Sequence, residues 1–288
     1  YPGITVDKKE GVCKLSRGVK AHILDLPGTY SLNASSIDEN VVIELLLNKK
    51  DKDFPDVAVV VADIENLKRN LLLFTQIKDL KIPTILVVNM SDVMVRKGIE
   101  LDITELETQL NTKIALVSTR KGTGLQELKT LIEGYKTLPK KQCLDARSID
   151  FDYFERLEKA FPNQEVYKLW LVVTQDVNFG KLARKELDVS KFQTKSTSEL
   201  KRLQQKEAIK RYQFINGVLK KSQVIDRSKA KDLRSKLDRT LTHKVWGYVI
   251  FLAILITIFQ AIYDWASFPM DLIDTTFASL AEWGKNSF

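Results

Sequence analysis

Thr84-Ile85-Leu86-Val87-Val88-Asn89-Met90-Ser91-Asp92 is an apolar run of strand length, introduced by Pro83, that stops on side chains able to hold a ligand. A continuous apolar run is buried on both faces of its sheet, the habit of parallel strands covered by helices. Val57 to Ala62 is a second such run, closed by Asp63, and Ile114 to Val117 is a third, closed by Ser118-Thr119-Arg120-Lys121-Gly122. Between them, residues 66–80 carry apolar side chains at helical period, Leu106 and Leu110 mark a shorter helix, and 125–135 reads as another. Strand and helix in alternation specify a parallel α/β sheet. Ligands of such sheets sit outside the carboxyl ends of the strands.

Upstream, Gly11 to Leu15 and Val19 to Leu24 read as a hairpin around Ser16-Arg17-Gly18, its second strand buried and ending on Asp25-Leu26-Pro27-Gly28. An Asp at a strand end can hold Mg²⁺ through water, and a Gly three residues on lets its N–H approach a phosphate oxygen. Ser36 and Glu39, in capping-box spacing, open an amphipathic helix over 36–49. Three candidate motifs thus fall at strand ends: Asp25 to Gly28, Asn89 to Asp92 and Ser118 to Gly122. A carboxylate at Asp92 can accept from the N1–H and 2-amino group of guanine, which adenine cannot supply, while Asn89 braces the base and the neighbouring loop. Taken singly each motif reads as a solvated turn or helix cap; their shared placement argues for a site.

At 288 residues the chain has room for about two domains. Hydrophobic content of 44% excludes a wholly disordered chain. A net charge of +8 leaves nucleic acid and anionic membranes open as partners. Two Cys, Cys13 and Cys143, argue against a disulfide framework, and two His against a His-rich metal site. The chain starts at Tyr1 with no signal-peptide pattern and is expected to be a piece that begins inside a longer protein.

Past Leu138-Pro139 the composition shifts. Residues 140–150 read as a polar linker and 151–226 as a small helical domain, its charge runs taken as solvated helix faces rather than a nucleic-acid surface. Residues 227–244 are strongly basic, and 245–263 carry no charge over nearly the ~20 residues that a spanning helix needs. Trp246, Tyr248, Tyr263 and Trp265 sit near the ends of that stretch, as interfacial aromatics do. The positive-inside rule then puts the α/β domain in the cytoplasm and the carboxyl end outside, with 264–288 an amphipathic extracytoplasmic segment. One span cannot enclose an ion path, so no site for a transported ion is expected in these residues.

Asp25-Leu26-Pro27-Gly28 with Thr29-Tyr30-Ser31-Leu32, then Asp63 with Asn66-Leu67 and Arg69-Asn70-Leu71, then Asn89-Met90-Ser91-Asp92, resembles the G domain of the ferrous iron transport protein B (FeoB) family. Gly3-Ile4-Thr5-Val6 is similar to its switch I, Val117-Ser118-Thr119-Arg120 to its last guanine loop, and Leu241 to Gly247 to its entry into the first membrane helix. The resemblance implies a Ras-like G domain truncated at its N-terminus (1–139), a helical coupling domain (140–226), a basic juxtamembrane helix (227–244) and one transmembrane helix (245–263). It implies GTP or GDP with Mg²⁺: Thr5 and Asp25 on the metal, Gly28 on the γ-phosphate, Asn89 and Asp92 on guanine assisted by Ser118 and Thr119. Met90 would cover the base where many GTPases carry Lys. The implied function is the regulatory GTP-binding part of a ferrous iron transporter in a prokaryotic inner membrane. Its partners would be the bilayer, further transporter spans and possible further copies of the chain, with no nucleic acid.

No Gln follows Gly28, so no catalytic side chain is named. Residues 1–288 contain no G-x-x-x-x-G-K-[ST] loop, and the expectation is weak GTP binding without measurable hydrolysis by these residues alone. A membrane-tethered GTPase unrelated to iron and a non-catalytic adaptor are the alternatives.

Overall fold

The computed structural model describes residues 9–15, 18–33, 37–174, 192, 195–226, 237 and 240–286. It divides into two compact units, 1–226 and 227–288.

In the first unit β3 (Ala58–Asp63), β4 (Thr84–Asn89) and β6 (Lys113–Leu116) form a parallel sheet in the order β3-β4-β6. The register sets Val60 opposite Leu86, Asp63 opposite Asn89, and Val88 opposite Leu116. Strand side chains alternate between faces, and the core follows that alternation. Val60, Ala62, Leu86, Val88 and Ile114 face one core with α1 (Ile37–Leu47) and α2 (Leu67–Asp79). Ile85, Val87, Ala115 and Val117 face a second core closed by Leu128, Leu131 and Ile132 of α5 (Leu125–Glu133). The three expected parallel strands and the helices between them are therefore present.

The hairpin also forms, as β1 (Lys9–Lys14) and β2 (Lys20–Asp25), but not as expected around the sheet. It is a sheet of its own, and β2 is not buried: Ile23 is exposed, as is Val12 on β1. Apolar character in Val19 to Leu24 reflected strand propensity rather than burial. Ser36, half of the expected capping box, lies outside the described residues.

Downstream, the supposed linker is clamped. Lys78, fully buried near the end of α2, donates through Nζ to the carbonyls of Asn111 (2.6 Å) and Pro139 (2.5 Å). Asp79 accepts the backbone N–H of Cys143 (2.6 Å) and Leu144 on Oδ1, and Arg211 Nη1 (2.7 Å) on Oδ2. Arg211 lies on α8 (Thr197–Ser222), which packs against α2 and α4 (Ile103–Leu110), and its Nε donates to Glu207 (2.8 Å). Glu207 also accepts Tyr167 Oη and Trp170 Nε1 from α7 (Val166–Thr174), at 2.8 and 2.7 Å. Asp79, Glu207 and Arg211 are buried, so Glu207 and Arg211 depart from the solvated helix faces expected over 151–226. The helical portion, which includes α6 (Phe151–Ala160), shares its core with the first face of the sheet through Tyr153, Trp170 and Ile215.

The second unit contains α9 (Trp246–Asn286), a single helix with Pro269 inside it. Among the described residues no helix is long and apolar enough to cross a membrane, so the spanning helix expected over 245–263 is not shown. Nor does a separate segment begin at 264, since the helix continues through it. Most of the basic stretch 227–244 lies outside the described residues.

Candidate nucleotide-binding site

The carboxyl ends of β4 and β6 lie side by side because their strands are hydrogen-bonded neighbours. Asn89 ends β4, Met90 turns the chain in a left-handed conformation (φ 63°), and α3 (Ser91–Lys97) starts at once, with Asp92 in its first turn. Ser91 N–H is tied to the Val117 carbonyl at 3.0 Å, which fixes this loop against the end of β6.

Two pairs of side chains then meet across the loops. Ser118 Oγ donates to Asp92 Oδ1 at 2.7 Å, and Thr119 N–H donates to Asn89 Oδ1 at 3.2 Å. Asn89 Nδ2 reaches Thr119 Oγ1 at 3.4 Å. Ser118 is buried and in turn receives the N–H of Lys121 at 3.3 Å. Its hydroxyl, helped by the nearby charges of Lys121 and Arg96, holds the Asp92 carboxyl below its usual range. Asp92 is thus an ionised acceptor throughout the neutral range. Met90 stands half exposed at the mouth.

The second loop closes through a bridge between Ser118 and Thr123, and then passes Gly124 at φ 79°. A Cβ there would lie 2.2 Å from the Leu116 carbonyl oxygen, so only glycine fits this return.

The other expected residues stand apart. Asp25 is exposed at the end of β2, Pro27 after it is buried, and Gly28 is partly buried. No hydrogen bond among the described residues joins Asp25 to Gly28 with Asn89, Asp92, Ser118 or Thr119. The chain just beyond is instead held by α2: the Arg69 guanidinium stacks on Tyr30 at 3.6 Å, and Leu32 N–H donates to the buried Gln76 Oε1 at 2.8 Å. Arg69 was quoted only as part of the family pattern and Gln76 was not singled out; a Gln among the apolar residues of this helix was the available signal. Thr5 lies outside the described residues. Among those described, no three His, Cys, Asp or Glu gather as a metal cluster.

A parallel α/β domain with two loops converging on an Asn and an Asp, continuous in its core with a helical portion, is the arrangement of a G-domain protein. Residues 1–132 match the family model described as ferrous iron transport protein B, which places that part of the chain in the FeoB G-domain family. It is 31% identical to the Fe(2+) transporter FeoB of Leptospira biflexa over 98% of its length, and 30% identical to that of Staphylococcus aureus over 94%. It spans only about two-fifths of those relatives, 42% and 41%. In structure it is similar to the cytosolic domain of the T. maritima FeoB iron transporter in its GMPPNP form. There the TM-score is 0.66 at 27% identity, over 78% of this chain and 88% of that one. The cytosolic domain of L. pneumophila FeoB gives a TM-score of 0.61 at 26% identity, with the same coverage.

Proposed function

We propose that this chain is the guanine-nucleotide-binding, regulatory part of a ferrous iron membrane transporter, coupling nucleotide state to Fe²⁺ uptake. The observation that carries the reading is the pair of links from Ser118 to Asp92 and from Thr119 to Asn89. An ionised carboxylate pre-oriented by a hydroxyl can accept two N–H groups from guanine, whereas adenine would leave it facing an acceptor. Asn89 is braced for the base, and Met90 offers apolar cover to its face.

On the phosphate side, Gly28 would donate its N–H to the γ-phosphate, and Asp25 and Thr5 would attend a Mg²⁺ ion. Asp25 brings a single exposed carboxylate. That donor set fits a Mg²⁺ that keeps its waters and takes its other ligands from phosphate, and the metal would supply charge neutralisation there. Turn and helical portion are connected through α2, held at Tyr30 and Leu32 near the turn and at Asp79 to α8. The exposed apolar side chains of α9, among them Phe251, Ile254 and Ile258, support contact with lipid, and the charge-free stretch 245–263 supports entry into a prokaryotic inner membrane. The basic run before it supports a cytoplasmic α/β domain, and Fe²⁺ would be cargo for further spans.

The test compares GDP with ADP on the chain by ligand-observed NMR at millimolar nucleotide. GDP is expected to bind about tenfold or more tightly, with the preference lost in Asp92→Ala. Equal binding of both nucleotides by the unsubstituted chain overturns the assignment.

A further inference from the structure

The loop Asn89 to Asp92 is anchored at both ends. One anchor is the pair Ser118 and Thr119. The other lies six residues beyond Asp92, where α3 stops at Gly98 in a left-handed conformation (φ 65°). The Gly98 carbonyl accepts the backbone N–H of Asp226 at 2.8 Å. Immediately afterwards β5 (Ile99–Leu101) pairs antiparallel with β7 (Gln223–Ile225), and Asp102 N–H closes the far end on the Ser222 carbonyl at 2.8 Å. A strand remote in sequence is therefore stitched to the end of the helix that carries Asp92.

Asp226 is also the last residue of the first compact unit. However the second unit is arranged, its covalent connection to the first runs through β7 and arrives at Gly98. We propose that β7 is a latch on the guanine loop. Pull on the chain beyond Asp226 opens the β5–β7 pairing, frees the end of α3 and weakens the hold of Asp92 and Asn89 on the base. The inference rests on the guanine reading of Asp92 and names a regulation of that same site.

Three features suit the role. The pairing is three residues long, and Val224 and Ile225 are exposed, so little apolar burial opposes its local opening. Gly98 absorbs a backbone change at small steric cost. Coupling of this kind is reciprocal, so occupancy of the base site must in turn tighten the latch. Because the latch acts on the base and not on the γ-phosphate turn, it changes GDP and GTP affinity by the same factor. A signal through α2 would change their ratio instead.

Hydrogen exchange on the nucleotide-free chain decides the matter without relying on affinity. Val224→Pro removes a ladder donor. It is expected to speed exchange about tenfold at the amides of Ser91, Val93 and Thr119, while β4 and β6 keep their protection. A cross-strand disulfide from Glu100→Cys with Val224→Cys, in a Cys13→Ser background, is expected to slow the same amides when oxidised and release them when reduced. If the proline variant loses structure throughout, the disulfide pair alone gives the answer. Unchanged exchange at the guanine loop on locking, or a change spread evenly over the sheet, overturns the proposal. Protection of those amides by GDP in the unsubstituted chain is a separate reading that bears on the base assignment alone.

Discussion

The two halves of the candidate site are built differently. The guanine half sits on β4 and β6, adjacent strands of one sheet, and its side chains are joined by hydrogen bonds of 2.7 and 3.2 Å. The phosphate half, Asp25 to Gly28, hangs from an exposed hairpin that shares no ladder with that sheet, and contacts from Arg69 and Gln76 hold the chain just beyond it. Sheet hydrogen bonds fix a loop to within the geometry of the backbone, whereas a few side-chain contacts can be exchanged for others. The proposed base site is therefore a preformed surface, and the proposed phosphate turn is the part held by exchangeable contacts.

The largest effect should come from the clamp that joins α2 to α8, on which both halves depend. Arg211→Ala leaves the carboxylates of Asp79 and Glu207 buried without their cation, and is expected to cost about 3–5 kcal/mol in urea unfolding. A loss below about 1 kcal/mol would show that the network is hydrated and that α2 is not clamped.

Next is Gly124→Ala. With φ at 79° and the Leu116 carbonyl in the way, it is expected to cost about 1–3 kcal/mol and to disturb the Ser118 to Thr123 loop while leaving the hairpin spectrum unchanged. Preserved loop shifts would mean that the preformed half is softer than its hydrogen bonds suggest.

Gln76→Leu addresses the movable half. Loss of its bond to Leu32 is expected to cost about 1 kcal/mol and to speed exchange over 29–33 with no change at Thr119. Equal change in both halves would erase the contrast between them.

The smallest effect concerns Asp92, whose carboxyl is held low by Ser118. Any stability that its charge contributes is present above the unfolded value near ~3.9 and is lost as pH falls through the lower folded value. In Ser118→Ala the Asp92 titration, followed by NMR, should move up toward the ordinary carboxylate range. A titration that stays where it was would assign the shift to Lys121 and Arg96 instead.

Much of the α/β layer was legible in the residues. Val57 to Ala62, Thr84 to Val88 and Ile114 to Val117 are continuous apolar runs, and such runs have few solutions other than strands buried between helices. Asn89, Asp92, Ser118 and Thr119 could be placed together because strand ends of a parallel sheet converge. The hairpin was legible as a hairpin, but its burial was not, because β-propensity and burial draw on the same side chains.

Local pattern determined the parallel strands, their covering helices and the chemistry at the strand ends, since each depends on neighbours within a turn or a strand. Tertiary structure alone decided what lies far apart in sequence. Asp79 meets Arg211, Lys78 closes on Pro139, and the three-residue strand Ile99–Leu101 finds Gln223–Ile225. A charged side chain looks alike in sequence whether water or a partner solvates it, and three residues carry no periodicity. Those contacts exist because the core brings α2, α4 and α8 together, and no local signal could have announced them.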